Sequence, residues 1–310
     1  MAAPAEGLDT APEAPARPTA PATRAGVTSA AADGVWRTTY WIPRALYWGI
    51  HAASLLAFVT GVTPFALGLC ATTLALRMFA ITGGYHRYFA HKTYRTSRPF
   101  QFLLAFLACT ATQKGPLWWA GNHRRHHRFA DREGDVHSPK DGFWYSHAGW
   151  IFDGRWDDTP TDQIPDFARY PEIVWLNRWH IVPPLCLFLL CFALDGWRGA
   201  IWGYCVSTTV LWHFTYSINS LAHRWGTRRY DTPDTSRNNP LLALLTFGEG
   251  WHNNHHHYMA STRQGFYWWE LDITYYVLRA LAAVGLVWDL REPPAHVLNP
   301  GLAASEREAA

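Results

Sequence analysis

The sequence predicts an all-α integral membrane protein: four transmembrane helices in two hairpins, with a cytoplasmic helical cap that carries a His-rich site. Three observations predict it. Two long apolar stretches are nearly free of charge, and each holds a break near its middle. Arg and Lys flank the outer ends of both stretches, while the turns inside them carry almost none. Three short His clusters all fall on the side that those cations mark.

Composition supports the class. Of 310 residues, 49% are hydrophobic and only 16% charged, against ~25% charged in a soluble domain. The mean hydropathy of −0.15 is low for such a protein because the polar residues concentrate in the tails and the His stretches. A net charge of +3 is near balance, which argues against a nucleic-acid partner. The five cysteines, Cys70, Cys109, Cys186, Cys191 and Cys205, sit in apolar runs without CxxC spacing. They read as packing residues, not as a disulfide framework or a thiolate zinc site.

Residues 1–34, rich in Ala, Pro and Thr, read as a disordered tail. Residues 45–76 contain no Asp, Glu, Lys or Arg and are interrupted by Gly61 and Pro64, which suits spans at about 45–61 and 64–83. The run at 100–113 is the length of an interfacial or buried helix. Spans at about 179–195 and 199–222 form the second hairpin, and a second disordered tail is expected over 292–310. Arg37 and Arg44 precede the first pair; Arg87, Lys92, Arg95 and Arg98 follow it. Arg169 and Arg178 precede the second, and Arg224, Arg228 and Arg229 follow it, with only Asp195 and Arg198 at its inner turn. The positive-inside rule then puts both termini and every His cluster on the cytoplasmic side.

The clusters are His86 and His91 (HxxxxH), His123, His126 and His127 (HxxHH), and His252, His255 and His256 (HxxHH). Positions i, i+3 and i+4 share a helix face, so each HxxHH presents imidazoles as a unit. His86 and His91 diverge on a straight helix and fit best near a helix end. Imidazoles crowded in a low dielectric cannot all be charged, and neutral imidazole is the commonest metal ligand. Eight or nine supply two metals with four or five donors each; ligand type alone leaves iron, zinc, copper and nickel open. A ferritin-like site is disfavoured, because it uses two ExxH motifs and here Glu249–His252 has no matching second copy.

From about Trp41 to Arg291 the chain resembles the membrane fatty-acid desaturases, specifically the stearoyl-CoA (Δ9-type) branch and its bacterial members. The three boxes carry the resemblance, together with QKGPLWWAGNHRRHHRFADREGDVHSP, GFWYSHAGWIF, SINSLAHRWG and GEGWHNNHH. It implies a desaturase domain over 35–291 and an iron-binding oxidoreductase of lipid metabolism and fatty acid biosynthesis, in a bacterial inner membrane. Its cofactors are two Fe2+ ions, with O2 as co-substrate. The implied ligands are His86, His91, His123, His126, His127, His252, His255 and His256, with His223 of the NSxxH segment as the ninth and Asn219 acting through water. Asn122, Asp131, Asp135 and Glu249 are expected to hydrogen-bond these ligands, and Trp118, Trp119, Trp144, Tyr145 and Trp150 to line a substrate tunnel. His257 is an extra imidazole beside the third box, and His51, His137, His147, His180, His213 and His296 carry no assignment.

Ala120, Gly121 and Asn122 stand where animal relatives carry charged residues, so acyl-CoA, acyl-lipid and carrier-linked substrates all stay open. Without a cytochrome b5-like extension, electrons are expected from a separate ferredoxin- or cytochrome b5-like donor. A di-iron hydroxylase or acetylenase on the same scaffold is the alternative. A His-rich metal transporter or sensor is the reading from another class; it expects ionisable groups along a path across the bilayer, not gathered at one face.

Overall fold

The computed structural model describes residues 44–299. The tail expected over 1–34 lies outside them. Of the tail expected from 292, Ala295–Leu298 forms one helical turn, with Val297 buried beside Tyr230 and Phe266.

The described chain is mostly helical. Helix α1 covers 44–54, and the next short turn ends at Gly61, whose φ of +69° favours a residue lacking Cβ. Helix α2, Pro64–Phe79, begins with Pro64 in its first turn, and the Thr63 hydroxyl accepts from Ala66 N at 3.1 Å. It runs on through Ala80–Ala90 in wide π-type turns, making 27 residues in all.

Helix α3, Arg98–Cys109, answers to the run expected at 100–113. It buries Leu104, Ala105, Ala108 and Cys109, and it packs against Ala80–Ala90. Helix α4, Pro116–Phe129, carries the second His box; its first N–H groups, from Leu117 and Trp118, donate to the Asn177 side chain at 3.1 and 3.0 Å. Helices α5 (Phe143–His147) and α6 (Pro171–Arg178) follow.

Helix α7, Val182–Gly199, is broken at Asp195 and Gly196, where Gly196 has φ +56°. The chain then passes through Ala200–Val206 into α8, Ser207–Ser220. A Cβ on Gly203 would lie 2.8 Å from both Cys191 and Leu69, so its absence lets three helical segments meet. Helices α9 (Pro240–Leu245), α10 (His252–His257) and α11 (Ile273–Ala283) complete the cap. A two-stranded antiparallel pair, Arg95–Thr96 with Val287–Trp288, closes its edge.

Two helices, Pro64–Ala90 and Val182–His223, are long and apolar enough to cross a membrane. Large apolar side chains lie open around them; Phe58 and Val59 are 88% and 82% exposed, and Leu185, Leu189 and Leu190 are about half exposed. Buried among these helices is Arg77, which donates to Ser207 Oγ at 2.5 Å and Thr208 Oγ1 at 2.6 Å and so ties α2 to α8.

Candidate metal centre

The first His pair owes its geometry to the wide turns ending α2. His91 N donates to His86 O at 3.1 Å, an i to i+5 bond, so residues five apart come onto one face. The two imidazole centroids lie 4.8 Å apart. The divergence expected of a straight helix is absent because this stretch is not wound as an α-helix.

Nine imidazoles then fall into two groups. His86, His91, His123, His127 and His255 form one; His126, His223, His252 and His256 form the other, and within each group one ring nitrogen per residue lies within 4.8 Å of every other. In the group of five, Nε2 atoms meet along the series His86–His255 (3.1 Å), His255–His127, His127–His123 and His123–His91 (each 3.0 Å). In the group of four, His252 and His223 meet through Nε2 at 3.1 Å. These are the nine His that the resemblance implied.

Carboxylates hold the far side of four rings. His126 Nδ1 lies 2.8 Å from Asp135, His256 Nδ1 2.9 Å from Asp234 and His223 Nδ1 3.4 Å from Asp131, while His86 Nδ1 contacts Glu249 closely. Of the residues expected to orient the ligands, Asp131, Asp135 and Glu249 do touch them. Asn122 instead donates to Trp118 O at 3.1 Å within its own helix, although it lines the adjoining cavity. Asp234, Thr235 (3.2 Å from His223 Nδ1) and Gln264 (3.3 Å from His86 Nδ1) were not anticipated. Asp234 and Thr235 stand in a loop without a motif, with only their proximity to the NSxxH segment as a hint, while Gln264 falls in the SxRQGFYWWELDITYY stretch that follows the third box.

Burial and crowding disfavour charge on six of the nine rings. Burial, then the neighbouring imidazoles, push His91, His123, His127, His252 and His255 well below the ordinary imidazole value. Burial also takes His256 down to about 4 against the pull of Asp234. His126 goes the other way, because Asp135 outweighs its burial. Burial would raise Asp131, yet its bonds from His223 and Thr235 hold it at about 2. Nε2 of His126 and of His256 is buried without a hydrogen-bond partner among the described residues. With Nδ1–H committed to a carboxylate, each presents an unused lone pair, which is the state a metal needs.

Three adjoining cavities lead past the groups. One is lined by Leu46, Tyr47, Thr112, Lys114, Trp118, Trp150, Trp212 and Tyr216. It shares Gln113, Trp118, Trp119, Trp150 and Tyr216 with a second. That one shares Trp119, His123, His137, Thr215 and Asn219 with a third, which reaches Met78, Ile81, His126 and His252. Trp118, Trp119 and Trp150 line these cavities. Trp144 does not: its indole is 75% exposed. Tyr145 packs beside Trp118 and Trp150 and donates to Asp153 at 2.9 Å, behind the lining. Gln113 and Thr215, missed in the sequence, cross the path: Gln113 donates to Thr215 Oγ1 at 2.9 Å and accepts from Trp119 Nε1 at 3.1 Å. Asn219 lines the same cavity as His126 and His252. His257 stacks on Tyr230 at 3.9 Å and joins neither group.

The family model for fatty acid desaturase matches residues 62–290. A palmitoyl-monogalactosyldiacylglycerol delta-7 desaturase of Arabidopsis thaliana is 36% identical, covering 83% of this chain and 70% of its own. An icosanoyl-CoA 5-desaturase of Limnanthes douglasii is 34% identical over 84% of this chain and 76% of its own. An sn-1 stearoyl-lipid 9-desaturase of Synechocystis sp. is 35% identical over 83% and 82%. With a family match across most of its length and relatives of this kind, the chain belongs to the fatty acid desaturase family and is an oxidoreductase acting on acyl chains.

Proposed function

We propose that the protein is an O2-dependent di-iron desaturase that introduces a cis double bond, at the 9 position, into a saturated acyl chain carried by CoA or a lipid. The observation that carries this reading is the balance of the site. Nine imidazoles stand in groups of five and four, and four carboxylates (Asp131, Asp135, Asp234 and Glu249) contact their outer nitrogens. Four negative charges match two divalent cations; Arg87, which also reaches Glu249, is balanced by Asp272 at 2.9 Å. A buried site with that charge and no ion would be strongly disfavoured. The nine His would hold two Fe2+, with Asn219 reaching one of them through water.

Iron in that position supplies the oxygen-activating chemistry for breaking unactivated C–H bonds that side chains lack. The overall change takes the chain's CH2–CH2, one O2, two electrons and two protons to CH=CH and two H2O. The chain's own residues do the rest. The carboxylates keep a proton on Nδ1 of their His partners, so Nε2 stays available. Met78, Ile81 and Ile218 exclude water from the innermost cavity. The array of Gln113, Thr215 and Trp119 bends the acyl chain where it passes the imidazoles.

The membrane arrangement follows the same reading. The protein crosses the bilayer four times, the break at Asp195–Gly196 turning the third crossing into the fourth. A straight helix over Val182–His223 would be far longer than the ~30 Å hydrocarbon core. Flanking cations put both termini and the His site on the cytoplasmic side of a bacterial inner membrane, where a separate carrier delivers electrons.

Cells expressing the protein and fed deuterated stearate test the reading by mass spectrometry. A product lighter by two hydrogens with its double bond at carbon 9 is expected. An added hydroxyl, or no O2-dependent product, overturns it.

A further inference from the structure

A cleft away from the acyl path is lined by Lys92, Arg95, Arg169 and Arg291 around a floor of Tyr88 and Tyr94. We infer that this cleft is the docking surface for an acidic one-electron carrier protein and the point at which electrons enter the five-imidazole group. The inference rests on the oxidative reading above, which needs two electrons from outside.

Charge is the first argument. Lys92 and Arg95 have 55% and 72% of their side chains exposed. The Arg95 ion pair with Asp289 is 3.4 Å long and exposed at both ends, so it holds Arg95 only weakly. Arg169 and Arg291 form no ion pair with a carboxylate among the described residues; Arg169 lies over Tyr170, with its guanidinium 5.0 Å from the ring. Four cations thus face outward, with Asp166 the one carboxylate in the cleft wall. An acidic partner is steered to such a face and held by it, with a strong dependence on salt.

The second argument is connection. Lys92 follows His91 in the chain, and its ammonium lies 3.0 Å from Asp166. Asp166 accepts two bonds from Arg124, at 2.8 and 3.0 Å, and Arg124 follows His123. Arg124 also donates to the carbonyls of Phe89 and Ala90 at 2.7 and 2.8 Å, bracing it against the turns that carry His86 and His91. The cleft wall is therefore one peptide unit from His91 through Lys92, and joins His123 through the Asp166–Arg124 ion pair; both imidazoles belong to the group of five. Two successive carriers, each oxidised by one electron, supply the pair that reduces O2 along with the two hydrogens of the acyl chain.

Binding of an acidic [2Fe–2S] ferredoxin to the detergent-solubilised, metal-loaded protein, by calorimetric titration at low and moderate salt, tests this. The parent should bind with an affinity that falls steeply with salt. Arg169→Glu combined with Arg291→Glu should weaken binding at least tenfold and flatten the salt dependence. Arg178→Glu, an exposed reversal outside the cleft, should change it less than threefold; metal content and thermal midpoint monitor folding in each variant. No binding by the parent, an unchanged affinity in the double variant, or an equal loss in Arg178→Glu overturns the inference. Ferredoxin that binds through the cleft of a protein with no acyl turnover would instead overturn the desaturase reading and leave the docking surface standing.

Discussion

Asp234→Asn separates a metal-orienting role from a structural one. Asp234 Oδ2 lies 2.9 Å from His256 Nδ1, and Oδ1 accepts from Ser236 N at 2.9 Å and Thr232 Oγ1 at 3.1 Å. An asparagine carbonyl can take over the two bonds at Oδ1. Its amide group then sits where Oδ2 was, a donor facing a donor. His256 can answer only by moving its proton from Nδ1 to Nε2, which removes the lone pair a metal would use. Loss of such an orienting partner typically costs ~10–100-fold in metal affinity, or about 1.4–2.8 kcal/mol.

Elemental analysis against a chelator series should therefore show weaker iron retention and at least tenfold less turnover in Asp234→Asn. The metal-free forms of parent and variant should melt within a few degrees of each other, because the loop bonds survive. Asp234→Ala, which also removes the bonds to Ser236 and Thr232, should melt lower even without metal. Full iron retention in Asp234→Asn, or an equal drop in the stability of its metal-free form, would refute the reasoning.

Three further outcomes are expected. His126→Ala and His255→Ala, one from each group, should each lose turnover while still inserting into the membrane, whereas His257→Ala should keep its metal by elemental analysis, since that ring stacks on Tyr230 outside both groups. Gln113→Leu leaves the half-buried Trp119 indole without its acceptor, about 1 kcal/mol of penalty; product mapping should show double bonds spread over neighbouring carbons. Ser207→Ala with Thr208→Val removes the two hydroxyl acceptors of the buried Arg77 guanidinium, leaving it the carbonyls of Thr73 and Thr110, and should destabilise the protein by roughly 3–6 kcal/mol, while Arg77→Met should be far milder because Ser207 already donates to Gly203 O at 2.7 Å.

How much was legible beforehand depended on whether the signal was local. HxxHH repeats its own geometry in any helix, so six of the nine imidazoles could be recognised from spacing alone, although each box acts not as a unit but as two donors to one group and one to the other. The breaks at Gly61 and at Asp195–Gly196 were likewise written in short-range chemistry. The wide turns under His86 and His91 were not, because nothing in GGYHRYFAH distinguishes π-type winding from α-helix. Asp234 was hidden for another reason. It reaches His256 across 22 residues of sequence, and an Asp beside Pro in a loop is an ordinary turn residue until the cap folds. Trp144 erred the opposite way: it sits one residue from Tyr145 in an aromatic stretch, but the short helix α5 turns it outward.

The division of the boxes explains why no single helix makes a site. Successive residues on a helix are rotated by about 100°, so positions i and i+4 differ by only ~40° while i+3 and i+4 differ by ~100°. In the second box His123 and His127 share a direction and join the group of five, leaving His126 to the group of four. The third box reverses the allotment, with His252 and His256 in the group of four and His255 in the group of five. Each helix thus gives two donors to one group and one to the other. Both groups depend on α4 and α10 lying side by side. Inserting one residue after His123 would turn it away from His127 by that same ~100° and disturb both groups, which a pair of independent metal sites on separate helices would not suffer.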